Sequence, residues 1–208
     1  MELLFDMGGV LIDLDMPRCV EAFRAAGFDI APYLDPFAQK GFISDFESGK
    51  TTPDEFFATM DRLAGRALDR DALAAAWRSL LAGMPRERIE LLVKARRHHG
   101  IHLLSNTNPL GWASALELFR EIGHLPEELF GHVLLSFEMG VEKPARQIFD
   151  RAACQIGCAP GEILFFDDSE TNCRAAREAG LQAVVAARDG GWMDCFDADG
   201  RLKPGFAA

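Results

Sequence analysis

The chain has 208 residues, enough for one sizeable core with room for a small accessory unit. Hydrophobic residues make up 49% and charged ones 26%, the mix of a globular protein, and 32 acidic against 22 basic side chains leave a net charge of −10. A nucleic-acid backbone demands a basic face, so this balance excludes nucleic acid as the main partner; a small anionic substrate held by local groups or a metal is still allowed.

No run approaches the ~20 apolar residues of a membrane span, so no membrane association is expected. The start, Met1-Glu2 and then three apolar residues, lacks the pattern of a signal peptide. Cys19, Cys154, Cys158, Cys173 and Cys195 show no CxxC spacing and read as free thiols in a reducing cytoplasm.

Leu3-Leu4-Phe5 predicts a short buried strand that ends at Asp6, with Gly8 and Gly9 directly behind it. After Asp15 the pattern turns helical. Pro17 suits a first turn, and Val20, Phe23 and Ala26 form an apolar stripe before Gly27. A second helix is expected within Pro32 to Phe46, closing at Gly49. Thr52-Pro53-Asp54-Glu55 is a capping box with a first-turn proline, and Phe56, Met60 and Leu63 should line the buried side of the helix it starts. Asp69 to Leu81 predicts a further, alanine-rich helix containing Trp77. Nothing between Asp15 and Pro85 reads as a strand.

From Pro85 strands and helices alternate. The expected order is a helix over Arg86 to His99, a strand over Ile101 to Leu104, a helix over Gly111 to Ile122 and a strand over Val133 to Leu135. A helix over Ala145 to Ile156, a strand over Ile163 to Phe166, a helix over Thr171 to Ala179 and a strand over Ala183 to Val185 complete it. Beyond Arg188 no element is evident. This alternation implies an α/β fold with a doubly wound parallel sheet and right-handed crossovers. The first strand needs that sheet to be buried. The helical block is therefore an insertion: residues 15–85 form a small cap, and 1–14 with 86–208 a Rossmann-like core.

Four strand ends carry polar residues. They are Asp6; Ser105-Asn106-Thr107-Asn108; Lys143, just before Pro144; and Asp167-Asp168, with Asn172 four residues on. Ligands of open α/β sheets collect beyond the carboxyl ends of the strands, where all four fall. Each alone reads equally as a turn, a helix cap or a solvated lysine.

With these four stretches in this order, the chain resembles the haloacid-dehalogenase-like superfamily, whose members are mostly phosphatases. Asp6-Met7-Gly8-Gly9-Val10, Ser105-Asn106, Lys143-Pro144 and Asp167-Asp168 match the family's four motifs, and the helical insertion is similar to its small cap. Phe5 to Val10, Leu104 to Asn108 and Phe165 to Asp168 look most like the bacterial glucose-1-phosphate phosphatases, with the amino-terminal phosphatase domains of soluble epoxide hydrolases close by. The resemblance implies a phosphatase of a small phosphorylated metabolite, plausibly a sugar phosphate, with Asp6 as nucleophile through an aspartyl-phosphate. It assigns Mg²⁺ to the Asp6 side chain, the Gly8 carbonyl and Asp168, with Asp167 adjacent. Lys143 would neutralise the nucleophile and a phosphoryl oxygen. Ser105, Asn106 and the backbone N–H groups after Asp6, at Gly8 and Gly9, would hold the remaining oxygens. A 2-haloacid dehalogenase, a phosphomutase or a phosphate-binding protein without turnover are the alternatives.

One position departs from the family pattern. Most of its phosphatases carry a second aspartate two residues after the nucleophile, as general acid and base, and here that residue is Gly8. The metal contact needs only a carbonyl there, but the proton donor is gone, a group that typically contributes ~10²–10⁴-fold. Either the leaving group departs unprotonated, as an anomeric or aryl oxygen can, or a donor comes from elsewhere. Asp45, Glu47 and Lys50 in the cap, and Asp13 and Asp15 at its root, are candidates, each of which reads individually as a solvated charge.

Overall fold

The computed structural model describes residues 1–34 and 39–206. Among the described residues seven strands run β1 (Glu2–Phe5), β2 (Asp13–Leu14), β3 (Leu81–Gly83), β4 (Gly100–Ser105), β5 (Val133–Leu135), β6 (Ile163–Asp167) and β7 (Gln182–Val185). Five of them form one sheet in the order β5-β4-β1-β6-β7, all neighbours parallel. β1 is central. Phe5 stands in register with Leu103 of β4 on one side and Phe166 of β6 on the other, so the carboxyl ends of these strands finish side by side.

Strand period sorts the side chains into two cores. Leu3, Phe5, Leu103 and Phe166 pack on one face, against α5 (Arg86–Ala95), α6 (Pro109–Glu121) and the carboxyl-terminal tail. Leu4, Leu104 and Phe165 pack on the other, against α9 (Arg146–Ile156) and α10 (Glu170–Glu178). Both faces of β1 are covered, which is why its sequence is continuously apolar rather than alternating. Short helices α7 (Pro126–Leu129) and α8 (Ser136–Met139) flank β5; at four residues each they carry too little periodicity to be read from sequence.

The insertion is helical: α1 (Met16–Ala25), α2 (Phe42–Glu47), α3 (Pro53–Ala64) and α4 (Arg70–Arg78). The capping box of α3 forms as expected, Thr52 accepting from the Glu55 N–H while Glu55 accepts from the Thr52 N–H. A third core, centred on Phe23, Phe46, Phe56, Met60 and Trp77, holds the helices together. Leu63 is not part of it: at 48% exposed it lies on the outer face of α3, one step round from Met60. In the region of the expected second helix the chain forms a 3₁₀ turn at Ala31–Tyr33 and then α2; residues 35–38 lie outside the described part.

Two further expectations need correction. Leu81–Gly83 is a strand, not a helix end, pairing antiparallel with β2 into a two-stranded ribbon at the root of the insertion. Three residues are too few to show alternation. The tail is also structured. Gly191–Cys195 forms a 3₁₀ turn that places Trp192, 1% exposed, edge-on to Phe5 at 5.1 Å between ring centroids. Phe196 and Leu202 then bridge. All five cysteines are free thiols. No helix among the described residues is long and apolar enough to cross a membrane.

Candidate active site

The parallel ladder carries on past β1, the Asp6 N–H donating to the Phe166 carbonyl at 2.8 Å, so the backbone of Asp6 is fixed by the sheet itself. Its side chain is 12% exposed. Oδ1 accepts from the Met7 N–H at 2.7 Å and lies 2.9 Å from Lys143 Nζ. Lys143 is 2% exposed and also donates to Asp167 Oδ2 at 2.6 Å and to the Leu104 carbonyl at 3.2 Å. One buried ammonium thus ties together the ends of β1, β4 and β6.

The two adjacent carboxylates do different things. Asp167, fully buried, accepts at Oδ1 from the Ser169 N–H (2.8 Å) and Asn172 Nδ2 (3.0 Å), and at Oδ2 from Lys143. Its acceptor capacity is taken up by the protein. Asp168 is only partly buried and its partner is the half-exposed Arg188, at 2.5 Å from Nε. Burial pushes the Asp6 carboxyl up, Lys143 pulling against it and Asp167 and Asp168 adding to the push. For Lys143 burial works downward but Asp167 and Asp6 outweigh it, so the ammonium is held charged. Burial likewise pushes Asp168 up while Arg188 opposes.

Ser105, 1% exposed, and Asn106 end β4 beside this cluster and line the cleft above it. The Asn106 amide is engaged by backbone: it donates to the Lys143 carbonyl and accepts from the Lys143 N–H, each at 2.8 Å. It clamps the lysine from both sides. Gly8 lines the cleft. At Gly9, with φ +76°, an added Cβ would lie 2.4 Å from Asp168 Oδ2, so a side chain there would displace that carboxylate.

Several candidates are spoken for elsewhere. Asp15 caps α1 by accepting from the Arg18 N–H, Asp13 pairs with Arg88 at 2.8 Å, and exposed Asp45 and Lys50 face each other at 3.4 Å. Glu47 alone of these lines the cleft, together with the cap residues Met16 and Trp77. Phe46 is cap core, 0% exposed; Trp77 is cap core that also shows an edge to the cleft.

Residues 3–180 match the family model described as haloacid dehalogenase-like hydrolase. The chain belongs to that family. It is 31% identical over 193 residues to a D-ribitol-5-phosphate phosphatase from Bacteroides thetaiotaomicron, covering 91% of this chain and 93% of the relative. A haloacid dehalogenase family enzyme from the same organism, solved in complex with magnesium and inorganic phosphate, superposes with a TM-score of 0.88 at 34% identity, covering 94% of this chain and 98% of that one. A structure from Porphyromonas gingivalis, described as a predicted hydrolase of this kind, gives a TM-score of 0.86 at 31% identity over 93% and 94% of the two chains.

The donor set of this hydrolase suits a hard divalent cation. One carboxylate oxygen from each of Asp6, Asp167 and Asp168 lies within 4.8 Å of the other two; with both Asp167 oxygens hydrogen-bonded to protein, Asp6 and Asp168 are the two placed to ligate such an ion. Such a group of carboxylates repels itself unless positive charge is added. Sequence reasoning missed two contributors to the hydrolase site. Arg188 reaches Asp168 from an irregular loop after β7, where no pattern marks it. Ser136, buried at the start of α8, accepts from the Thr107 N–H at 2.9 Å and donates to the Glu47 carbonyl at 2.6 Å, joining core to cap.

Proposed function

We infer that this hydrolase is a magnesium-dependent phosphomonoesterase of a small phosphorylated metabolite, a sugar or sugar-alcohol phosphate, and that Asp6 is its nucleophile. One observation carries the reading: a carboxylate on the central strand, in contact with a buried ammonium, at the floor of a cleft with two further carboxylates beside it. The relative named for D-ribitol 5-phosphate and the magnesium and phosphate held by a close structural relative support the substrate class and the ion. The motif likeness to glucose-1-phosphate phosphatases points to a 1-phosphate instead, so both esters belong in the test.

Asp6 attacks phosphorus, the bond to the leaving oxygen breaks, and an aspartyl-phosphate remains on Asp6; water then attacks that phosphorus, releasing inorganic phosphate and restoring the carboxylate. Lys143 offsets charge on Asp6 and on a phosphoryl oxygen, and Asp167 holds Lys143 in place. Asp6, the Gly8 carbonyl and Asp168 would hold the metal. Asp167, whose oxygens are already hydrogen-bonded, stays adjacent. When bound, Mg²⁺ supplies the charge that lets one anion approach another. The Ser105 hydroxyl and the Gly8 N–H receive the other phosphoryl oxygens; the Gly9 N–H, assigned the same role from sequence, instead donates to the Ile12 carbonyl at 2.8 Å and shapes the turn, and Asn106 acts by fixing the Lys143 backbone. Residues 1–14 and 86–208 serve as the catalytic core and 15–85 as the cap that admits the ester. Five free thiols support a reducing cytoplasm as its compartment.

A panel of phosphate esters assayed with Mg²⁺, with EDTA and with Asp6→Asn tests the reading. Hydrolysis of sugar phosphates that vanishes in EDTA and in the variant is expected. Activity that survives EDTA would remove the metal, and an active Asp6→Asn would remove the nucleophile.

A further inference from the structure

With Gly8 in the place of the usual acid, an alkyl leaving group needs a proton from another residue. Among the described residues lining the cleft, the ionisable side chains are Asp6, Glu47, Lys143, Asp168 and Arg188. Asp6 takes the phosphoryl group, Asp168 lies in the carboxylate cluster and pairs with Arg188, and Lys143 is bound between Asp6 and Asp167. Glu47 is the one contributed by the cap, the side from which the organic part of the ester must enter.

The backbone that carries it is fixed at three points. The Glu47 carbonyl accepts from Ser136 at 2.6 Å, and Ser44, one turn earlier on α2, hydrogen-bonds Glu142, next to Lys143. Two residues on, at Gly49 (φ +69°), an added Cβ would sit 2.0 Å from the Phe137 carbonyl oxygen, so the two backbones touch. The end of α2 is latched onto the stretch that leads to Lys143.

We propose that Glu47 is the general acid–base of this enzyme, taking from the cap the role that Gly8 leaves vacant. The inference rests on the phosphatase reading above. As the P–O bond breaks, the Glu47 carboxylic acid gives its proton to the leaving oxygen, producing an alcohol. The resulting carboxylate then accepts a proton from the water that attacks the aspartyl-phosphate, and Glu47 returns to its starting state. Burial, with Glu142 and Asp6 adding to it and Lys143 opposing, pushes the Glu47 carboxyl up to about 8, so it enters the cycle protonated at neutral pH.

The test compares Glu47→Gln and Glu47→Asp with the unaltered enzyme, in Mg²⁺, on ribitol 5-phosphate and p-nitrophenyl phosphate. Glu47→Gln should lower kcat/KM for the alkyl ester by ~10²-fold or more, and at least about tenfold less for the aryl ester, whose leaving group needs no proton. Lost base function should also appear as a burst of p-nitrophenol before the steady state, and Glu47→Asp should recover part of the alkyl activity. Equal losses on both esters, or no loss on either, would overturn the role of Glu47. An unaltered enzyme inactive on every phosphate would instead overturn the phosphatase reading itself.

Discussion

Lys143 sits at 2% exposure between two carboxylates, and its removal has two separable consequences. Lys143→Met leaves Asp6 and Asp167 facing each other without a cation, which typically costs ~3–5 kcal/mol for a broken buried pair. A lower denaturation midpoint together with lost turnover is expected, and full stability in urea melts would show that the ammonium is dispensable to the fold. Ser105→Ala removes a neutral donor instead; kcat should drop ~10²–10³-fold while stability changes little. Glu47 gives a pH signature. Its pKa is raised, so the active, protonated form is lost as pH rises through about 8, and kcat/KM for an alkyl phosphate should fall on that alkaline side. In Glu47→Gln that limb should disappear. The same shift makes ionised Glu47 a cost to the folded state. The cost is absent below about pH 4.5, grows as pH rises and levels off above about 8, so the thermal midpoint of Glu47→Gln should exceed that of the unaltered protein by a margin that widens over this range.

Among the elements, the contact between α2 and the α8 loop sets cap and core in register. Gly49→Ala strains a left-handed backbone and drives a methyl into the Phe137 carbonyl, so the latch must open. Turnover of alkyl phosphates should fall at least ~10-fold with the metal affinity unchanged, which titration of the free protein with Mg²⁺ would check. This latch illustrates what the sequence does not disclose. The strands of the main sheet and the polar residues at their ends are legible because local pattern encodes them: Leu3-Leu4-Phe5 and Ile163 to Phe166 are apolar runs that stop at carboxylates. Contacts between distant segments have no such imprint. Ser136 meeting Glu47, and Arg188 meeting Asp168, link residues that are far apart in the chain, and a single serine or arginine in a loop looks like any other. The ribbon of β2 with β3 was hidden for a different reason. Its strands are two and three residues long, shorter than the period needed to tell a strand from a helix end.

For the molecule as a whole, the tail completes the core on which the nucleophile rests. Trp192 packs on Phe5 and Phe166 and donates from Nε1 to the Val10 carbonyl at 3.1 Å, on the turn that follows Asp6. Trp192→Ala should cost ~3–5 kcal/mol, read by urea unfolding, and a variant as stable as the original would mean the tail merely lies on the surface. The Gly-Gly-Trp stretch has no periodicity, so only the assembled core reveals its part. The insertion stands in contrast to this dependence. It leaves and re-enters the sheet domain through one ribbon, the Asp15 N–H donating to the Leu80 carbonyl at 2.8 Å. Its two attachment points are therefore neighbours, and topologically everything between them is a single long excursion from one spot. A lineage could exchange that excursion for another without rethreading any strand; new substrates could thus be acquired by cassette replacement while the strand-end groups Asp6, Ser105, Lys143 and Asp168 are inherited, provided each new cassette brings its own proton donor.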